Sequence, residues 1–215
     1  MLALVAAKSG TGLTRAGAQT LDRVVASIGE TAITRSDVER EYALEAVIDD
    51  GRLPKMPPDA AALVRVRDRL IDQELLALEA QSASEKPANV KKVAAERLAG
   101  IRRKCSSQEA LDSDLRSLGM DEYQLLGVLE GQERTLEMIN QRLRPAASPD
   151  RSEIQAYYRN QFAPEYAKRG QGAAPPLAEV ESQIREILTQ QKIDEQLTAW
   201  LRELRQTRHV KVHPF

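Results

Sequence analysis

Residues Leu177 to Pro214 read LAEVESQIREILTQQKIDEQLTAWLRELRQTRHVKVHP. From Leu177 to about Arg208 the stretch holds neither glycine nor proline, so the spacing predicts one long helix. A helix of that length spans roughly 48 Å at 1.5 Å per residue. The pattern then changes to the alternation His209-Val210-Lys211-Val212-His213, which predicts a short strand. A strand needs a sheet to join, and the other strand signals lie near residue 24. The end of the chain is therefore expected to return to its beginning.

Within the long helix the apolar face rotates. At about 100° per residue, Val180, Ile184, Ile187 and Leu188 fall on one side, while Leu197, Trp200, Leu201 and Leu204 fall about 140° round. Polar Thr189-Gln190-Gln191-Lys192 separates them. A single coiled-coil seam would keep one face, so the two halves are expected to pack against different neighbours, or else the helix curves through one core.

Upstream, Leu21 to Thr34 reads as a β-hairpin. Val24, Ala26 and Ile28 alternate with Val25 and Ser27, and Gly29-Glu30 supplies a two-residue turn with glycine first. Ser36 with Glu39 predicts the capping box of a first helix, running to about Asp49. A second helix is expected from about Asp59 to Ser82, and a third from Pro87 to about Lys104, with Val90, Val93, Leu98 and Ile101 apolar. Ser106 with Glu109 predicts a short fourth helix. Asp121 caps a long fifth one to about Leu143, carrying Tyr123, Leu126, Leu129, Leu136 and Ile139. Ser148-Pro149 opens a sixth, which holds Tyr157, Tyr158 and Phe162 and ends near Pro164. The expected fold is mostly α, with a small antiparallel sheet made by the hairpin and the terminal strand. The expected organisation is a leader or signal-peptide remnant over residues 1–20, a core over 21–163 plus 177–215, and a Pro/Gly linker over 164–176.

Composition agrees with a helical globular chain. Of its 215 residues 42 % are hydrophobic, 29 % charged and only 4 % aromatic. The net charge of −1 gives no global attraction to nucleic acid. The clusters Arg65, Arg67, Arg69 and Arg102-Arg103-Lys104 are too small for a nucleic-acid surface. The acidic residues lie beside Lys and Arg in patterns of solvated helix surfaces.

Few residues suggest chemistry. The single Cys105 has no disulfide partner and reads as a small, partly buried apolar group. His209 and His213 would lie about 13 Å apart along a strand, too far to share one zinc ion. No phosphate loop, H-E-x-x-H or paired-cysteine motif is present. No cofactor or metal is expected, and no apolar run suits a membrane-spanning helix. Residues 1–7, MLALVAA, and Ala16-Gly17-Ala18 have parts of a signal-peptide pattern without its basic start. That pattern fits a signal-peptide remnant and a disordered leader equally; the expectation of export to the periplasm or beyond comes mostly from a family resemblance.

Three stretches together resemble a known family, the SurA-type periplasmic chaperones with the related PrsA and PpiD proteins. Leu21-Asp22-Arg23-Val24-Val25-Ala26-Ser27-Ile28, with Ile33-Thr34-Arg35-Ser36-Asp37-Val38, is similar to the family's opening hairpin and helix start. Leu70-Ile71-Asp72-Gln73-Glu74-Leu75-Leu76 resembles its second helix. Gln183 to Lys192, Trp200 to Leu204 and the terminal strand resemble its closing elements. The resemblance covers nearly all the chain after residue 20. It implies an ATP-independent holdase for unfolded outer-membrane or secreted polypeptides, and it is compatible with a homodimer. Relatives commonly carry a parvulin isomerase domain where this chain has the 164–176 linker. That linker has neither the length nor the histidines for one, so isomerase activity is not expected. Met120, Tyr123, Met138, Tyr158 and Phe162 are the candidate client contacts, because Met and aromatic side chains adapt to varied partners. The alternative reading is a helical adaptor or assembly protein with one fixed partner.

Overall fold

A computed structural model describes residues 22–82, 89–169 and 173–215. The predicted leader, Leu21 and the Pro87 helix start lie outside the described residues. The last strand does return to the first described one. Strands β1 (Val24–Ile28), β2 (Thr31–Thr34) and β3 (Lys211–Val212) form an antiparallel sheet in the order β2-β1-β3.

Gly29 has a φ of 57°, the left-handed value that the first turn position requires. Its N–H donates to Arg208 O at 3.0 Å, tying the turn to the end of the final helix. The strand alternation is broken once. The register shifts between Val24 and Ala26, so Val25 and Ala26 are both buried while Val24 is turned outward. Sequence alternation placed Val24 with Ala26; a bulge reverses it.

Among the described residues seven α-helices precede the closing one: α1 (Arg35–Asp50), α2 (Ala60–Ser82), α3 (Val90–Lys104), α4 (Gln108–Ser117), α5 (Glu122–Leu143), α6 (Arg151–Tyr157) and the short α7 (Ala163–Lys168). The N-caps correct the expected boundaries. Thr34 and Asp37 form the first capping box, in place of Ser36 and Glu39. Ser107, rather than Ser106, caps α4, and Asp150 with Glu153 opens α6 after Pro149. Asp121 caps α5 as expected, with Gln124 completing its box. In each case the side-chain oxygen satisfies an N–H that the first helical turn leaves free.

Gly51 ends α1 with a φ of 71°, and a Cβ there would stand 2.5 Å from the Lys104 carbonyl carbon. Lys104 Nζ donates to Ile48 O and Asp49 O at 3.1 and 3.0 Å, so the C-terminus of α1 is seated on that of α3. Part of the predicted basic cluster thus caps a helix. Arg102 pairs with Glu122, and Arg69 with Glu45. Arg67 is buried beneath the chain end, where its guanidinium faces the Phe215 ring at 5.4 Å and donates to His213 O.

The long closing helix α8 (Leu177–Thr207) ends at His209, which has a φ of 50°. Val210 N–H returns to Arg205 O, so α8 stops in a left-handed turn and β3 starts immediately. His209 therefore stands in the turn, outside the strand.

Three apolar clusters result. The main core joins Val25, Ile28 and Ile33 of the sheet to Ile71 and Leu75 of α2, Met138 and Ile139 of α5, and Ile193, Trp200 and Leu204 of α8. A second joins Leu44 and Val47 of α1 to α3, α4 and the first half of α5. The third is small: Ile154, Val180 and Ile184, with half-buried neighbours. The two halves of α8 do contact different elements, as the rotated face predicts. Ile187 departs from that pattern and is exposed.

Candidate functional site

The third cluster is an arm built from the first half of α8 and the segment Arg151–Lys168. That segment is α6, a π-helical turn over Tyr158–Phe162, and α7 (Ala163–Lys168). The helix passes through Pro164 and does not stop there as expected, so the start of the predicted 164–176 linker is helical. Proline has no N–H, and its ring clashes with a carbonyl four residues back in an α-helix. Here Ala163 N–H donates to Tyr158 O, five residues back, and this wider turn lets the chain accommodate Pro164.

The turn has a second effect. Residues four apart on an α-helix drift by about 40° per step. A turn with more residues per revolution offsets that drift, and Tyr158, Phe162 and Tyr166 form a row. The Tyr158 and Phe162 rings stack at 5.8 Å with planes 21° apart. Phe162 and Tyr166 follow at 6.0 Å and 30°. All three rings are half-buried. Of the row, Tyr158 and Phe162 pack against the arm's small core of Ile154, Val180 and Ile184. Tyr158 Oη donates to Pro175 O at 2.8 Å, which fixes the incoming end of α8 against the row.

Ion pairs anchor the arm at its base. Lys192 Nζ holds Glu153 at 2.8 Å, and Arg144 holds Glu186 at 2.6 Å. The Lys192 contact keeps the Glu153 carboxyl below its usual range, helped by the Asp150 backbone.

The five candidate client contacts do not come together. Tyr158 and Phe162 are neighbours in the row. Met120 is half-buried beside the second core. Met138 is 9 % exposed inside the main core, so it cannot meet a client in the folded protein. Tyr123 is 83 % exposed and stands alone on the first turn of α5. Sequence reasoning missed Tyr166, whose place four residues after Phe162 was hidden by the expected helix end at Pro164.

Other chemistry is quiet among the described residues. Burial pushes the Cys105 thiol up, with Asp114 adding to it, and Cys105 Sγ lies 3.3 Å from Ile101 O. That is the setting of an inert thiol. The described residues hold no group of His, Cys, Asp and Glu able to hold a metal ion. No described helix is long and apolar enough to cross a membrane. Comparison with family models finds none that matches the chain, and comparison with curated proteins finds no match either.

Proposed function

We propose that this chain is an ATP-independent holding chaperone for unfolded outer-membrane or secreted polypeptides, acting in the periplasm or otherwise outside the cytoplasm, without isomerase activity. The observation that carries the reading is the row Tyr158–Phe162–Tyr166. Its half-buried rings offer an apolar strip on an arm whose core, among the described residues, holds three buried apolar side chains. The resemblance of the opening hairpin and closing helix to SurA-type chaperones supports the same reading.

Physically, stacked rings with open edges and faces take apolar side chains without demanding one sequence. Covering about 400 Å² of apolar surface would yield roughly 10 kcal/mol gross. Association and ordering of the client take back about 4 kcal/mol or more, leaving about 6 kcal/mol or less, a Kd of roughly tens of micromolar or weaker. Reversible binding at that strength suits a holdase.

The test is suppression of aggregation, read by light scattering, for several unrelated denatured proteins without nucleotide. Suppression that falls when Phe162→Ala and Tyr166→Ala are combined supports the proposal. Binding to one folded partner and to no denatured client would instead establish an adaptor. Catalysis of Xaa-Pro isomerisation above background would refute the absence of isomerase activity.

A further inference from the structure

We infer that the free edge of β2, with the acidic cleft beside it, binds an extended polypeptide segment carrying lysine or arginine. This site is separate from the aromatic row and does not rest on the chaperone reading.

The hydrogen-bond register shows that, among the described residues, no strand pairs with the outer edge of β2. Val25 O accepts from His213 N–H at 2.9 Å, so Val25 and Ser27 direct their backbone groups to β3. Alternation then directs those of Ala26 and Ile28 to β2, where they meet Ile33 and Thr31. The N–H and C=O of Ala32 therefore point away from the sheet. Ala32 is exposed, and its edge is one to which an added strand can pair.

Alongside lies a cleft of about 230 Å³ between β2, α1 and α2. Ile33 and Leu70 give it an apolar lining. Its charged residues divide into two sets. Asp37 and Arg40 pair with each other at 2.6 Å. Glu41 and Glu74 have no ion-pair partner within 4.0 Å among the described residues, and both line the cleft. The nearby Arg69 is taken by Glu45. Burial pushes the Glu41 carboxyl up, with Glu45 adding to it and Arg69 opposing. Arg69 and Arg40 act on Glu41 without a salt-bridge contact, so a cation entering beside Glu41 and Glu74 would meet two carboxylates that have no direct ion-pair partner among the described residues. An extended segment hydrogen-bonded to Ala32 would run along the cleft and could place a long cationic side chain there, its methylenes over Leu70.

The probe is a short fluorescent peptide of alternating lysine with threonine or valine, titrated into the full chain by anisotropy and by amide NMR. Binding is expected to shift the Ala32 amide. Glu41→Gln combined with Glu74→Gln should weaken it about tenfold or more, the loss of a charge-assisted hydrogen bond. Ala32→Pro should weaken it similarly, because it removes an outward N–H and no bond of the hairpin. Circular dichroism checks that each variant is folded. Phe162→Ala should leave this binding unchanged, so failure here and failure of the chaperone reading are distinguishable. Absence of binding, equal binding of the peptide with glutamate in place of lysine, or binding insensitive to the Glu41/Glu74 pair would overturn the inference. So would concentration-dependent dimerisation that Ala32→Pro abolishes, since the edge would then serve a second copy of the chain.

Discussion

Replacing Ile184 by alanine should loosen the arm and leave the rest of the molecule folded. Ile184 is fully buried, and among the described residues it shares its cluster with two other buried side chains, Ile154 and Val180. Three such side chains contribute roughly 5–9 kcal/mol gross. An Ile→Ala change in a core costs about 2–5 kcal/mol, so the substitution removes a large share of what orders Arg151–Lys168. Trp200 is the internal comparison. It is buried in the main core under the Arg142 guanidinium, 4.3 Å from the ring. Trp200→Ala should cost about 3–5 kcal/mol, with up to about 1 kcal/mol more from the lost cation–π contact. That loss falls on the sheet, α2, α5 and α8 together, and therefore on global stability. Hydrogen exchange by mass spectrometry separates the two cases. Ile184→Ala should raise exchange in 151–168 and 177–188 while 24–34 and 197–207 keep their protection, with a small change in melting temperature. Trp200→Ala should raise exchange throughout and lower the melting temperature strongly. Equal global destabilisation by both variants would refute the division of α8 between two cores.

Three further outcomes are expected. Gly51→Ala forces a left-handed backbone on a residue with a side chain, at about 1–2 kcal/mol, and sets its Cβ against the Lys104 backbone; thermal melting should show a drop beyond the roughly 2–4 °C that each kcal/mol brings. His209→Gly relieves a residue held at a φ of 50°; a gain of about 1 kcal/mol in urea unfolding is expected. Glu41, whose carboxyl is raised mainly by burial above its ordinary 4.5, binds its proton in the native state where the unfolded chain has lost it. Stability should therefore fall as pH rises from 4.5 through the raised native value, and in Glu41→Gln that fall should be reduced when unfolding is followed across pH.

Much of this architecture is legible in the sequence because the signals are local. The hairpin needs only Gly29 and its flanking apolar residues, and the closing helix declares itself by the absence of breakers from Leu177 to Thr207. What was misread depended on partners far along the chain. The apolar face of α5 was read as Tyr123, Leu126, Leu129, Leu136 and Ile139; Leu129 and Ile139 are buried as expected, Tyr123 and Leu136 are exposed, and the buried Leu125, Met138 and Leu143 were left out of it. That helix serves two cores, so no one stripe describes it. In α3 Val90, Leu98 and Ile101 are buried as expected, but the remaining core position is Ala94 in place of Val93, which is exposed. The capping boxes slipped by one or two residues because several adjacent Ser, Thr and Asp side chains could each serve. Pro164 was read as a stop, and the π-helical turn that accommodates it has no pattern of its own in the sequence. For the same reason the row ending at Tyr166 was not visible, and Met138 was offered as a client contact when it fills the main core.

The central claim, that the aromatic row of the arm receives unfolded polypeptide, is tested most directly by site-specific photo-crosslinking. The photoreactive residue p-benzoylphenylalanine replaces Phe162 in one chain, Tyr123 in a second and Tyr166 in a third. Each chain is irradiated with a denatured outer-membrane protein. Tyr123 is the control, being the more exposed position but isolated from the row. Strong client adducts at 162 and 166 with few at 123 are the predicted result. Adducts that follow exposure alone, strongest at 123 and weak in the row, would contradict the account.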